Sequence, residues 1–423
     1  MVSRRGFIKL GSLALFAAGL GGVPSFIAQA ANSNKIIGTY KKNKILVCIF
    51  QRGAMDGLMA VSPFTDEYFR KSRPSLFMSA AGGASNPLID LDGRFGLHPS
   101  MQAFAPLFKE NRLAIVHGVG SPNTTRSHFD AQDYMEAGTP FNKGTSSGWL
   151  NRAVGLLGHE TATPFQAVSM TSSLPRSFYG DRPAIAISNL QDFAIQLRGN
   201  PLGANVAAKS FEDLYDQTSS SLLNKTGKES FDAVKMLQKV DTKNYEPSNN
   251  AMYPVTPLGN SLKQIAQLIK MDVGLEVAFA ECGGWDTHYN QGAGLAGTFA
   301  RNVGDLSNSI AAFWKDLETY HDDLDVMTMT EFGRTVKQNG TNGTDHGRGS
   351  CMFILGNDVN GGKVHGSVPT LAVENLEDGR DLPVTTDFRS VFSEVATKHL
   401  KVKNNSSLFP EWNGKQIGVM RNA

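Results

Sequence analysis

The sequence predicts an α/β fold in which a mainly parallel sheet is flanked by helices. Short β-branched or apolar runs alternate with longer amphipathic stretches, a pattern typical of strand-helix-strand units. Strands are predicted at residues 45–50, 113–116, 184–187, 275–280, 326–330 and 352–355. Helices are predicted at residues 98–110, 211–223, 229–238, 262–271, 299–321 and 387–400, with Asp387 as the N-cap of the last.

Residues 31–423 are predicted to form a single domain with an insertion at about residues 140–257. That stretch is rich in Ser, Asn, Thr and Pro and shows no clean alternation, so it is interpreted as a mostly helical subdomain. Cys48, Cys282 and Cys351 have no C-x-x-C spacing, which argues against a thiolate zinc site or a disulfide scaffold. They are predicted to be small buried hydrophobes on strands.

The N-terminus predicts a twin-arginine signal peptide over residues 1–30. Arg4 and Arg5 precede an apolar run at residues 10–23, and Ala28-Gln29-Ala30 supplies a small-residue cleavage site. The run is shorter than the roughly 20 apolar residues that cross a bilayer, so no stable membrane span is expected. We therefore expect a folded chain exported to the periplasm or beyond, with the twin-arginine translocase as a transient partner.

Charge excludes one class of partner. The formal net charge is +2, and the lysines and arginines form no cluster. Because nucleic-acid binding requires a concentrated basic surface, no nucleic-acid partner is expected.

Side chains that bind metals follow several of the predicted strands. They are Asp56, Asp286, His288, Glu331, Asp345 and His346. The carboxyl ends of parallel strands share one edge of the sheet, where ligands bind. Carboxylates and imidazoles suit Zn²⁺, Mn²⁺ or Mg²⁺, so this edge is a candidate hydrolytic centre with one or two metals. The alternatives are simple turn chemistry at Asp56, structural Asp-His hydrogen bonds, and a flexible loop around Asp345.

Hydroxyl groups precede the helical stretch that begins near residue 131. Thr124, Thr125 and Ser127 either cap this helix or lie at its positive end, where an anion or a nucleophilic hydroxyl is favoured. His98 and His117 are interpreted as packing or turn residues and are left out of the site.

Four segments carry a family resemblance. They are Arg52-Gly53-Ala54-Met55-Asp56, Arg126-Ser127-His128-Phe129-Asp130, Gly283-Gly284-Trp285-Asp286-Thr287-His288, and Thr330-Glu331-Phe332-Gly333-Arg334 with Asp345-His346-Gly347. Together they resemble the DUF1501 family over nearly the whole mature chain. That family comprises exported bacterial proteins, commonly with twin-arginine signals, and is similar to the alkaline phosphatase and sulfatase superfamily.

The resemblance implies an alkaline-phosphatase-like sheet and a hydrolase of phosphate or sulfate esters, with a small molecule or a polymer as substrate. It also implies one or two divalent cations, chosen from Zn, Mn, Mg and Ca. Asp56 resembles the metal-binding aspartate at the end of the first strand, and Asp286 with His288 resembles the pair that binds one metal. Asp345 and His346 would be the late ligands, and Glu331 stands where the superfamily usually has an Asp-His pair.

The resemblance also implies a covalent mechanism. Ser127, or else Thr124 or Thr125, stands where the superfamily places its nucleophile, and Arg126 or Arg52 would neutralise the oxyanion.

Two other classes of function remain. One is a non-catalytic envelope protein for binding or assembly, in which the Asp and His residues hold a structural metal or only hydrogen bonds. The other is a redox passenger of the export route, which ranks last because the sequence has no G-x-G-x-x-G, C-x-x-C-H or iron-sulfur spacing.

Overall fold

The structure, a computed structural model, describes residues 43–80, 86–158, 163–190, 245–403 and 405–421. The predicted signal peptide and the predicted helices at 211–223 and 229–238 lie outside the described residues. Among the helices of the described part, none is long and apolar enough to cross a membrane.

The described strands, in chain order, form two sheets. They are β1 Ile45–Gln51, β2 Val61–Pro63, β3 Ile89–Asp90, β4 Phe95–Leu97, β5 Leu113–Gly120, β6 Ala167–Ser169, β7 Ile185–Ala186, β8 Val277–Cys282, β9 Leu324–Met329, β10 Ser350–Leu355, β11 Val364–Gly366 and β12 Thr386–Asp387. The central sheet has the order β11-β5-β10-β9-β1-β8-β6-β7, with β12 beside β5. Strands β2, β4 and β3 form a small separate sheet.

The described helices surround the central sheet. They are α1 Gly57–Ala60, α2 Glu67–Ser72, α3 Phe104–Lys109, α4 His128–Ala137, α5 Trp149–Gly155, α6 Pro257–Lys270, α7 Thr298–Asp316, α8 Phe388–Lys398 and α9 Asn405–Leu408. Short 3₁₀ turns add Pro99–Met101, Arg176–Phe178, Ser248–Asn250, Glu318–Tyr320 and Val373–Asn375.

Strand direction brings the polar loops together. Strand β1 runs parallel to β8 and β9, and β10 is antiparallel to its neighbours β9 and β5. Because β10 is reversed, the chain leaves β9 and enters β10 at the same edge of the sheet. Residues 330–349 therefore stay at the edge where β1, β5 and β8 also end. The mainly parallel sheet predicted from the sequence is confirmed.

The two faces of the sheet have separate cores. Along β1, Val47 and Ile49 pack in the cluster that includes α6 and α7, whereas Cys48 and Phe50 pack in the cluster that includes α5 and α8. This alternation follows from the two-residue period of a strand. Every β1 residue is buried, as expected for a strand covered on both faces. Cys48 and Cys351 are buried, as predicted.

Helix boundaries differ from the predictions where proline and capping residues decide them. Helix α6 begins at Pro257, before the predicted residue 262, because the Thr256 hydroxyl caps it by accepting from Gly259 N. The predicted helix at 98–110 is instead a 3₁₀ turn followed by α3. The N-cap prediction for Asp387 is confirmed, since its carboxylate accepts from Arg389 N.

Part of the predicted insertion at 140–257 lies in the central sheet. Strand β6 pairs with β8, and β7 pairs with β6, so both extend the central sheet. The part described between residues 163 and 190 therefore belongs to the main sheet rather than to a separate subdomain. Strand β7 lies within the predicted strand at 184–187, whereas β6 has only three residues, too few for a two-residue alternation to be detected.

Two buried histidines make the folded state less stable at acidic pH. His98 and His117 are fully buried, and burial lowers the pKa of each from 6.5 to about 4. The unfolded chain takes up these protons below about pH 6.5, whereas the folded chain resists them until about pH 4. Their contribution to stability is complete above pH 6.5 and is lost as the pH falls towards 4.

We expect the free energy of unfolding to be lower at pH 5 than at pH 7, by roughly 2 kcal/mol for each of these two histidines. Urea unfolding at the two pH values measures the difference. Equal free energies at pH 5 and pH 7 would contradict this assignment.

Candidate metal centre

Four side chains meet at the carboxyl edge of the central sheet. His128 opens α4, which follows β5; Asp286 and His288 lie in the loop after β8; and His346 lies in the loop between β9 and β10. The ligand atoms of His128, Asp286 and His346 all lie within 4.8 Å of one another. The described residues therefore form one compact group of metal-ligand type.

The ε-nitrogens of the histidines point at the Asp286 carboxylate. Asp286 Oδ1 lies 3.1 Å from His288 Nε2 and 3.4 Å from His346 Nε2, and Asp286 Oδ2 lies 3.5 Å from His128 Nε2. His128 Nε2 and His346 Nε2 are 3.0 Å apart. Three ε-nitrogens thus converge on one carboxylate.

Each of the three imidazoles is held at its other nitrogen by an oxygen atom. His128 Nδ1 lies 2.8 Å from Glu331 Oε1, and His288 Nδ1 lies 2.9 Å from Asp345 Oδ1. His346 Nδ1 lies 2.9 Å from the carbonyl oxygen of Arg126. Because these oxygens accept hydrogen bonds, Nδ1 must carry the proton in each neutral ring.

The donor set fits a divalent cation. With Nδ1 protonated, each Nε2 directs a lone pair towards the Asp286 carboxylate. Two such lone pairs 3.0 Å apart, at His128 and His346, repel each other unless a cation or a proton lies between them. Imidazoles oriented by outer carboxylate or carbonyl acceptors are the usual arrangement of histidines that bind metal.

Arg334 fixes the position of Asp286. Its guanidinium is buried and donates to Asp286 Oδ1 at 2.6 Å and to the carbonyl oxygens of Gly53 and Trp285. Gly53 is required here, because a Cβ at its φ of +119° would lie 2.7 Å from Asp286 N. The turn after β1 thereby supports the loop after β8.

Hydrogen bonds keep the carboxylates of the site ionised. Burial raises the pKa of Asp286, but the hydrogen bond from Arg334 and nearby positive charge outweigh it and lower the pKa. Burial likewise raises the pKa of Glu331, and donors from His128, Gln132 and Gly53 N reverse that effect. The hydrogen bond that His128 donates to Glu331 raises the pKa of His128, whereas burial lowers the pKa of His346.

Asp56, predicted as a ligand, is not part of this group. Its side chain is buried and forms a two-point ion pair with Arg73, at 2.6 Å to Nη1 and 3.1 Å to Nη2. Asp56 also accepts from Met59 N as the N-cap of α1 and from Gln291 Nε2. Both carboxylate oxygens therefore have partners, and Asp56 lies in a buried ion pair rather than in the ligand group.

Glu331 and Asp345, also predicted as ligands, reach the group through histidines. Glu331 contacts His128 Nδ1 and Asp345 contacts His288 Nδ1, on the sides of the rings that face away from Asp286. In these positions they accept hydrogen bonds from the imidazoles and lie outside the group around Asp286. Asp286, His288 and His346 are brought together as predicted.

The two arginines predicted to neutralise an oxyanion already form ion pairs with carboxylates. Arg126 Nε donates to Asp381 at 2.9 Å, and its Nη2 donates to Asp378 at 2.7 Å. Arg52 lies between Glu281 and Glu136, at 2.5 and 3.0 Å. Neither guanidinium contributes an unpaired charge in this conformation.

The predicted nucleophile, Ser127, lies beside the candidate ligand His128. Ser127 is exposed and is the N-cap residue of α4, but its side chain makes no capping hydrogen bond. Its backbone N donates to Thr125 Oγ1, and Thr124 is exposed. Of the three hydroxyls, only that of Ser127 belongs to a residue adjacent to a ligand, His128.

Sequence reasoning missed His128 and Arg334. Both belong to the segments that carry the family resemblance, but neither is among the predicted site residues. The available signal was its place at the first position of a helix that follows a strand end. Its ring stacks on Phe332 at 4.9 Å, and the His346 ring lies 5.1 Å from Phe332, so this apolar residue supports two ligands.

Replacing Glu331 with glutamine is expected to weaken metal binding without removing it. The amide leaves the position filled but no longer provides a charged acceptor for His128 Nδ1–H, and loss of such an outer partner typically costs about 10–100-fold in affinity. Chelator competition with the purified variant measures the change. An unchanged affinity would contradict the orienting role of Glu331.

Comparisons with solved structures give distant likenesses. The C-terminal periplasmic domain of EcEptC from Escherichia coli, in complex with Zn, is 9% identical, with 80% of this chain and 76% of that chain covered and a TM-score of 0.34. The PsFucS1 sulfatase from Pseudoalteromonas sp. is 10% identical, with coverage of 100% and 78% and a TM-score of 0.36. The phosphonate monoester hydrolase of Agrobacterium radiobacter is 9% identical, with coverage of 89% and 79% and a TM-score of 0.32.

Sequence comparison identifies the family. A search of curated protein sequences finds no match. The profile of DUF1501, described as a protein of unknown function, matches residues 43–409. That range contains the whole central sheet and the four side chains of the candidate metal centre, so this chain belongs to the DUF1501 family.

Proposed function

We propose that this protein is an exported hydrolase that depends on one divalent cation, bound by His128, Asp286, His288 and His346. The observation that carries the proposal is the convergence of three ε-nitrogens on one carboxylate, with every δ-nitrogen held by an oxygen. Three imidazoles and a carboxylate favour Zn²⁺ or Mn²⁺ over Mg²⁺ and Ca²⁺, which prefer oxygen ligands.

The chemistry that follows is hydrolytic. A divalent cation in an incompletely filled site acts as a Lewis acid and lowers the pKa of a coordinated water molecule. The side chain of Asp286 is about half exposed, at 47%, so solvent and substrate reach the centre. Arg334 holds the Asp286 carboxylate in place during any reaction there.

Phosphate or sulfate esters are the substrate class we propose. Helix α4 begins at His128, and Ser127 provides no side-chain cap, so the positive end of the helix faces the ligand group uncapped by its own N-cap residue. A tetrahedral oxyanion is favoured at such a position. Because Arg52 and Arg126 are paired with carboxylates, the helix end and the cation would carry most of the charge stabilisation.

Ser127 is retained as a candidate nucleophile. Its hydroxyl is exposed and unused for capping, one residue from the ligand His128. Full activity in a Ser127→Ala variant would remove a covalent step through Ser127 and leave direct attack by water.

We also propose export by the twin-arginine route, because Arg4 and Arg5 precede the short apolar run. Folding before export would allow the centre to be loaded in the cytoplasm. Lysine replacements of both arginines would retain the protein in the cytoplasm if this route is correct. Unchanged export would contradict it.

The test of function combines metal analysis with a substrate screen. Protein purified without chelator is assayed with p-nitrophenyl phosphate, p-nitrophenyl sulfate and an aryl phosphonate monoester, beside an Asp286→Ala/His288→Ala variant. We expect one bound cation and hydrolysis of at least one ester class, both lost in the variant. A loaded wild-type protein that hydrolyses none of them would favour the non-catalytic binding or assembly role.

A further inference from the structure

We propose that Gln291 is a positioning residue for the metal centre. Its one carboxamide sets the separation between the loop that carries His288 and the loop that carries His346. This inference rests on the proposed function, because it concerns the ligands of the same cation.

The carboxamide oxygen of Gln291 joins the two loops. It accepts hydrogen bonds from Thr287 Oγ1 and from Thr344 Oγ1, each at 2.8 Å. Thr287 directly precedes His288, and Thr344 directly precedes Asp345 and His346. Gln291 is completely buried, so water does not compete for these bonds. One oxygen atom is thus the shared anchor of two ligand segments.

The carboxamide nitrogen of Gln291 is held from the other side. It donates to Asp56 Oδ2 at 2.8 Å, and Asp56 is fixed by its buried ion pair with Arg73. Since a carboxylate accepts but does not donate, the amide must present nitrogen to Asp56 and oxygen to the threonines. The orientation of the Gln291 amide is therefore determined by the network.

Arg73 connects this network to the same loop by a second path. Its Nη2 donates to the carbonyl oxygen of Thr335, and its Nε donates to that of Val336. Thr335 in turn bonds Asp345, through Thr335 N to Asp345 O and Asp345 N to Thr335 Oγ1. The buried charge pair thus supports the loop that carries Asp345 and His346 from behind.

Backbone hydrogen bonds also join these loops. Asn290 N donates to Thr341 O, Gln291 N to Asn342 O, and Thr344 N to Thr287 O. These bonds do not depend on the Gln291 side chain, so we expect the loops to stay folded without it. What the side chain adds is a fixed spacing at the residues next to the ligands. Metal ligands tolerate only about 0.5 Å of displacement.

The test measures the affinity for Co²⁺ and the visible absorption of the bound ion, which reports coordination geometry. Thr287→Val and Thr344→Val each remove one hydroxyl and leave the hydrogen bond from Gln291 to Asp56 intact. Gln291→Met removes the hydrogen bonds to both threonines and to Asp56. Thr328→Val is the matched control, because Thr328 is buried in β9 and its hydroxyl accepts from Phe353 N, outside the ligand loops.

We expect each loop variant to bind Co²⁺ about tenfold more weakly than the wild type, with an altered spectrum, and Thr328→Val to keep wild-type affinity. A variant that combines Thr287→Val, Thr344→Val and Gln291→Met should bind Co²⁺ no more weakly than Gln291→Met alone, because all three substitutions act through the hydrogen bonds of one oxygen atom. Wild-type affinity and spectrum in all loop variants would overturn the positioning role alone. Failure of the wild-type protein to bind one Co²⁺ would overturn the metal centre and this inference with it.

Discussion

Replacement of His128 by alanine is expected to abolish stoichiometric metal binding and any hydrolysis. The variant loses one of three Nε2 ligands and leaves the buried Glu331 carboxylate without the hydrogen bond that the imidazole gives it. The loss of affinity should exceed the roughly 10–100-fold caused by removal of an outer partner. Metal content after dialysis, measured by elemental analysis, tests the expectation.

His365→Ala is the control for this experiment. His365 lies on β11 and bonds the carbonyl oxygen of Asn360, outside the ligand group. It should keep the metal content of the wild type. A His128→Ala protein that retained one tightly bound cation would exclude His128 as a ligand.

Asp56→Asn is expected to destabilise the fold by about 3–5 kcal/mol, since it leaves the charge of Arg73 buried without a counter-charge. Both side chains are 0% exposed, so water cannot compensate. Denaturant unfolding measures the loss. The folded fraction should still bind one cation, although more weakly, because Asp56 supports the loops and does not contact the cation.

The double variant Asp56→Asn/Arg73→Met separates the two roles of Asp56. Removing both charges should recover part of the stability, because no ion then remains unpaired. A fully stable Asp56→Asn protein that bound no cation would contradict the structural role and restore Asp56 as a ligand.

The sequence predicted the elements that bury their side chains regularly. Strand β1 and helix α8 have long apolar patterns, and Asp387 is a clear capping residue. Predicted helix boundaries were wrong where a single capping residue sets the start of the helix, as Thr256 does for α6. Strand β7 lies within the predicted strand at 184–187, whereas β6 was not predicted because three residues are too few for a period of two to appear.

The sequence predicts at which edge of the sheet the candidate site lies. It does not predict which side chains its residues contact there. The rule that ligands lie at strand ends placed Asp286, His288 and His346 together, because β8 and β9 both end there. It could not distinguish Asp56 from Asp286, since that difference depends on which arginine each carboxylate meets in three dimensions. It also could not assign Glu331 and Asp345 to the outer side of two imidazoles.

Crystallographic anomalous scattering at the zinc and manganese absorption edges would test the central claim most directly. The structure predicts one peak at about 2.0–2.2 Å from His128 Nε2, His288 Nε2, His346 Nε2 and a carboxylate oxygen of Asp286. A peak coordinated by Asp56, or no peak in protein that elemental analysis shows to contain metal, would contradict the site.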